Sequence, residues 1–267
     1  MKKTKDNFIQ IIIGTIFLCG MMVISYGNNT TLVLLVFACL FALGIAIKRY
    51  RYIIINIFIF LLSFQLYVSV RQLLHIYMEN IQVIVILDRI LLSIVILSLV
   101  FTSYLYKKPV DSYLNKPQWH NRVYFPFVTH GFHFIKISKF LKIAILCNVV
   151  VFVPLILFFN NMEQIRNLLF FAIIFSLINA TIEELIWRGA FLNLLSKEFS
   201  MVFALIVTSL AFGIQHVVLG IPILAAVSFS IGGLFFAIVV IRANSIFPAI
   251  MWHFIINLFM VFSGLII

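Results

Sequence analysis

Apolar residues fill long stretches of the chain, and most of the basic residues lie in the segments between them. The stretches lie at about 8–26, 31–47, 52–70, 82–105, 141–159, 168–195, 201–219, 222–241 and 245–266, each near or above the roughly 20 residues a helix needs to cross a bilayer. Strands of a membrane barrel would be about 10 residues long and would alternate apolar with polar positions, which these stretches do not. The pattern predicts an all-α, polytopic transmembrane helical bundle of nine spans, or eight if one stretch does not cross. Turn residues agree with it. Gly27-Asn28-Asn29 separates the first two spans, and Asn244, Ser245 and Pro248 mark the start of the ninth.

Composition places the chain in lipid: 64% of residues are apolar and 10% are charged, against about 25% charged in a soluble domain. A net charge of +11 would suit a nucleic-acid partner, but the positions of the charges give a simpler cause. Counting alternate connections as inner, the inner segments hold Lys2, Lys3 and Lys5, the Lys48–Arg51 cluster, the basic residues of 107–142, Lys197 and Arg242. The outer ones hold only Arg71 and Arg166. By the positive-inside rule this puts the N-terminus in the cytoplasm and the C-terminus outside, and no nucleic acid is expected. Lys2, Lys3 and Lys5 ahead of the 8–26 stretch imitate a signal peptide. That stretch is too long for one and no small-x-small site follows, so an uncleaved first helix is expected. Cys19, Cys39 and Cys147 all lie in apolar stretches, without the spacing of a zinc finger or a disulfide framework.

The longest polar segment, 107–140, divides four spans from five. Its Trp119, Tyr124, Phe125, Phe127, Phe132 and Phe134, interleaved with His120, Arg122, His130, His133 and Lys136, predict a cytoplasmic loop lying on the headgroups. His130 and His133 are spaced to clamp a metal, but no third ligand stands at helical spacing. The division suggests an N-terminal transmembrane region, 1–140, and a helical core, 141–267. In the fourth span Asp88 and Arg89 are adjacent, so on a helix they diverge by about 100° and each needs its own partner. A polar structural contact is the expected role for them, with a substrate or proton pathway as the alternative.

Polar residues of the last five spans form a different pattern. Glu183 and Glu184 diverge in the same way, and Glu184 and Arg188 stand at i and i+4, where they pair along one face. Phe212 and His216, and then His253 and Asn257, are likewise four apart. Gly232 and Gly233 would let neighbouring backbones approach. Charges in a membrane helix are costly, roughly 2.5–3.5 kcal/mol each on insertion scales, so Glu183, with no local cation, needs a reason. A carboxylate and an imidazole in a partly dry cavity can share a water as base and acid, and His253 with Asn257 on one face can donate to an oxyanion. Glu183, His216 and His253 also have the composition of a hydrolytic zinc site, although no His-Glu-x-x-His is present. Ser196, Ser209 and Ser228 lack the Gly-x-Ser-x-Gly of a serine hydrolase. Measured from the inner helix ends at 1.5 Å per residue, Glu183, His216 and His253 lie roughly 18, 24 and 12 Å deep. Tilting, an inward shift or a break near Gly213 is required for them to meet.

Taken in order, Glu183-Glu184-x-x-x-Arg188-Gly189, Phe212-x-x-x-His216 and His253-x-x-x-Asn257 resemble the three motifs of the CAAX-protease and bacteriocin-processing (CPBP) family of intramembrane endopeptidases. The approach to the third motif, from Arg242 to Trp252, is similar as well, and the resemblance covers roughly residues 165 to 260. It implies a membrane protease, in a bacterial cell membrane, that cuts a membrane-associated peptide or protein, either a prenylated CAAX protein or a pheromone or bacteriocin precursor. Glu183 and His216 would activate water, His253 and Asn257 would hold the oxyanion, and Glu184, Arg188 and Phe212 would support the site. The family has been described both as metal-dependent and as glutamic. The shared face of His253 and Asn257 favours a mechanism without a cofactor; a zinc site would use Glu183, His216 and His253. A bacteriocin-immunity or regulatory protein acting by binding would retain the motifs without needing turnover. A transporter would call for broken helices in two related halves, and no such repeat is visible.

Overall fold

Polar side chains at the edges of the apolar stretches start and stop the helices. Asn29, Asn80 and Ser200 accept hydrogen bonds from the backbone N–H groups of Leu32, Val83 and Phe203, satisfying donors that a first helical turn leaves open. Gly220 and Asn244 end helical segments in the left-handed region, with φ of 83° and 51°, which glycine and asparagine tolerate. Pro248 stands in the first turn of the last helix, where its missing N–H breaks no bond.

The computed structural model describes residues 2–27, 29–108, 113–125, 133–159 and 162–266. Its helices are α1 (Lys2–Tyr26), α2 (Thr30–Ala46), α3 (Arg51–Tyr77), α4 (Ile81–Leu91), α5 (Ser93–Leu105), α6 (Ile137–Phe159), α7 (Met162–Glu184), α8 (Asn193–Glu198), α9 (Met201–Gln215), α10 (Ile223–Ala243) and α11 (Phe247–Phe262). Two short strands, β1 (Arg122–Phe125) and β2 (His133–Lys136), precede α6. Among the described residues seven helical stretches are long and apolar enough to cross a membrane, with α4–α5 and α7–α8 each counted as one; α2 and α11 are shorter. Together these nine overlay the nine stretches read from the sequence. Phe158, Phe170 and Leu224 are largely exposed on the outer faces, as lipid-facing residues are.

Segments assigned to one side of the membrane meet at one end of the bundle. Arg49 pairs with Asp6 at 3.0 Å, Tyr50 packs on Phe199, and Lys108 lies 3.4 Å from Glu198. The core runs through the whole chain. Phe17 of α1, Phe60 of α3, and Trp187 and Phe191 beyond α7 pack ring on ring with centroids 4.6 to 5.3 Å apart, each such pair contributing about 0.5–1.5 kcal/mol beyond its buried area. The backbones of α9 and α10 approach closely at Gly213, where a Cβ would collide with the Ala226 carbonyl and the Ser230 hydroxyl.

The described part of the segment after α5 docks on the end of α10. The backbone N–H of Gln118 donates to the Ala243 carbonyl at 2.9 Å, the Asn121 amide donates to the Arg242 carbonyl at 2.8 Å, and the N–H of Ile246 donates to the Tyr113 carbonyl at 3.0 Å. The carbonyls at the end of α10 have no partner within their own helix, so a polar segment docks there. Trp119 packs beside Val123, Ile137, Phe140, Val239 and Ala243, and β1 pairs antiparallel with β2 from Arg122 opposite Lys136 to Phe125 opposite His133. His130, and with it the metal clamp considered with His133, lies outside the described residues.

Candidate active site

Glu183 and Glu184 close α7, after which the chain continues as a π-helix from Leu185 to Leu192, a form found mostly at functional sites. Both carboxylates are fully buried; each has an arginine of its own, and His253 stands between them. One oxygen of Glu184, Oε1, accepts from Arg188 Nη1 at 2.8 Å and from His253 Nδ1 at 3.0 Å. Arg188 is held further by the Gly233 carbonyl, 3.0 Å from Nη2, and by the Phe212 ring 4.3 Å from its guanidinium carbon. Taking one member out of such a buried pair costs about 3–5 kcal/mol, because the other charge is left uncompensated.

Glu183 turns the other way. Its Oε1 accepts from Gln215 Nε2 at 2.9 Å and lies 3.5 Å from Arg89 Nη1. Its Oε2 is 3.6 Å from His253 Nε2 and has no hydrogen-bond partner. The Gln215 amide is oriented without ambiguity: its oxygen accepts from the Trp187 indole N–H at 2.9 Å, and indole only donates, so the amide nitrogen faces Glu183. His253 therefore bridges the two glutamates, one ring nitrogen toward each, with its ring stacked on Phe236 at 5.0 Å.

His216 opens a 3₁₀ turn, His216–Leu219, that follows α9. This is the break the depth mismatch calls for, three residues beyond Gly213, and Gln215 reaching Glu183 shows the sixth and seventh spans at one level. A carbonyl only accepts, so His216 Nδ1, 2.7 Å from the Phe212 oxygen, carries a proton and leaves Nε2 with its lone pair. The ring stacks on Phe229 at 4.0 Å. Phe212 is the wall shared by both histidines, its ring 5.0 Å from His216 and 6.0 Å from His253. Asn257, one turn beyond His253 on α11, is buried with Nδ2 unpartnered. Buried polar atoms without partners are uncommon in native proteins, and three of those among the described residues, Glu183 Oε2, Glu184 Oε2 and Asn257 Nδ2, belong to the predicted set. A cavity of about 350 Å³ lined by Tyr52, Lys108, Asn193 and Glu198 lies at the end of the bundle, and none of these groups lines it.

Glu183 Oε2 and His253 Nε2 have the separation of two ligands on one tetrahedral zinc ion, but among the described residues no third His, Cys, Asp or Glu joins them to complete a metal-binding group. The Arg89 guanidinium already stands at the carboxylate. The donor set does not fit the zinc alternative, and the chemistry of the site is derived without a metal.

Arg89, Gln215 and Trp187 are the participants that residue spacing did not assign. Gln215 stood within the second motif, adjacent to His216. Arg89 carried a signal of its own, as a charge inside an apolar stretch, and the expectation that Asp88 and Arg89 find separate partners holds: Asp88 pairs with Arg71 at 3.1 Å.

No curated protein and no solved structure matches the chain significantly. Residues 165–259 match the family model described as type II CAAX prenyl endopeptidase Rce1-like, a segment that contains all three motifs. The apolar helices make the chain an integral membrane protein, and the matched segment within it is similar to the Rce1-like family of intramembrane proteases.

Proposed function

We propose that the protein hydrolyses a peptide bond of a membrane-associated peptide or protein by a metal-free mechanism in which Glu183 is the base. The observation that carries this reading is the buried, unpartnered Oε2 of Glu183 beside His253 Nε2, with the unpartnered Asn257 Nδ2 on the same helix as that histidine. A water bound between Glu183 Oε2 and His216 Nε2 gives a proton to the carboxylate, and the hydroxide adds to the scissile carbonyl carbon. Asn257 Nδ2–H and a proton on His253 Nε2 donate to the oxyanion. Glu184, accepting from Nδ1, compensates the charge of a His253 that carries both protons. As the C–N bond breaks, the proton held by Glu183 passes to the leaving amine. The products are a carboxylic acid and an amine, which become carboxylate and ammonium when the acid's proton passes to the amine.

The cytoplasmic N-terminus follows from the basic segments and places the docked hairpin on the cytoplasmic side. Substrates of this reading are prenylated CAAX proteins or peptide precursors of the pheromone and bacteriocin type, presented at the lipid surface. The test is cleavage of a farnesylated CAAX peptide, and of the same peptide unmodified, by purified wild type and Glu183→Gln in lipid nanodiscs. Wild-type cleavage that the variant loses, by about 1,000-fold or more for a base and its associated steps, supports the reading. A variant that complements a cellular phenotype at wild-type level would instead indicate a binding protein.

A further inference from the structure

Glu183 lies within the segment that matches the family, but the cation at its carboxylate does not. Arg89 belongs to α4, far upstream of residue 165, and is buried at 8% exposure. Its Nη1 is 3.5 Å from Glu183 Oε1, longer than a charge-assisted hydrogen bond of about 2.7–2.9 Å, so the coupling is mainly charge on charge in a dry surrounding. Asp88 also attracts Arg89, but its carboxylate accepts a hydrogen bond from Arg71 on α3. Gln215 donates to the same Oε1 from α9, and Trp187 fixes the direction of that amide. Oε1 is thus engaged by α4 and by α9, and Oε2 is the oxygen without a partner.

We propose that Arg89 is a positioning residue for proteolysis: together with Gln215 it occupies Oε1 of Glu183 so that Oε2 is the oxygen presented to water. The N-terminal spans then complete the active site, and the matched segment alone would not contain it. The proposal rests on Glu183 acting as the base.

The experiment begins with wild type and Glu183→Gln on the farnesylated peptide. If wild type is inactive, or if Glu183→Gln is active, the underlying reading falls and this proposal falls with it. If they behave as expected, Arg89→Lys and Arg89→Met are measured in the same nanodiscs, with monodispersity and thermal melting as the check on folding. The expected result is a kcat reduced about tenfold in Arg89→Lys and about 100-fold in Arg89→Met, with KM within about twofold of wild type. Millimolar guanidinium should restore part of the rate of Arg89→Met, which a purely structural role would not produce. If Arg89→Met does not fold, Arg89→Lys decides alone. A kcat within about twofold of wild type in a folded variant, a loss confined to KM, or a folded Arg89→Met that guanidinium does not rescue would overturn the proposal.

Discussion

Replacing Gly213 by alanine tests whether the contact between α9 and α10 sets the level of the active site. An ideal Cβ at Gly213 meets the Ala226 carbonyl oxygen and the Ser230 hydroxyl in collision and the Ser230 nitrogen at 2.9 Å. Two of those three atoms are backbone and cannot rotate away, so the helices must separate, and the Ser230 to Ala226 hydrogen bond of 3.2 Å must break or shift. At Gly232 a Cβ would meet nothing within 4 Å, so Gly232→Ala serves as the control. Both substitutions gain about 0.5–1 kcal/mol of helix propensity. Only the first incurs overpacking, about 1–3 kcal/mol, for a net loss of about 1–2 kcal/mol. At about 2–4 °C per kcal/mol for a chain of this size, Gly213→Ala should melt about 2–8 °C lower in detergent, and Gly232→Ala at or slightly above wild type. Gln215 and His216 lie two and three residues beyond Gly213. A displacement near 1 Å there should lower kcat about 100-fold. Equal melting temperatures in the two variants, or a Gly213→Ala enzyme within about twofold of wild-type kcat, would refute the reasoning.

Gln215→Leu leaves the Trp187 N–H and Glu183 Oε1 short of a partner and should cost about 1–3 kcal/mol of stability with at least about a tenfold fall in kcat. Gln215→Glu, which sets carboxylate against carboxylate, should be less active still when both are assayed on one peptide. A metal-free mechanism predicts that prolonged chelation leaves peptide cleavage within about twofold and that metal analysis of the active preparation finds no stoichiometric zinc; loss of cleavage restored by added zinc would contradict it.

Much of the fold could be read from the sequence because a bilayer reduces the question to length and apolarity, and the nine stretches became the helices. The opposite bearings of Glu183 and Glu184 were legible for the same kind of reason, since neighbours on a helix differ by about 100° whatever surrounds them. The pairing of Glu183 with Arg89 was not, because no periodicity links α4 to α7 and their approach depends on the packed bundle. The docking of Gln118 and Asn121 was equally hidden: the carbonyls they fill become available only once α10 ends at Ala243. Of the adjacent glycines in α10, Gly233 meets Arg188 and Phe212 while Gly232 faces open space, a choice that depends on which face α9 covers. Gly213, not singled out as a packing residue, lies where a Cβ would collide with α10.

The π-helix from Leu185 to Leu192 implies a tolerance rule for this part of the chain. A wider turn accommodates more residues than an α-helical one, so its existence depends on residue number as well as residue type. The eight residues of this wider segment advance the chain by roughly the same rotation as seven on an α-helix, so it takes up a residue without turning Asn193, Leu194 and Leu195 of α8 from their buried positions. Conservative exchanges of Ile186 or Leu192 would leave that register alone. A one-residue gap inside this stretch is therefore the length change among relatives that keeps α8 in register, while Trp187 and Arg188 within it should keep their identities.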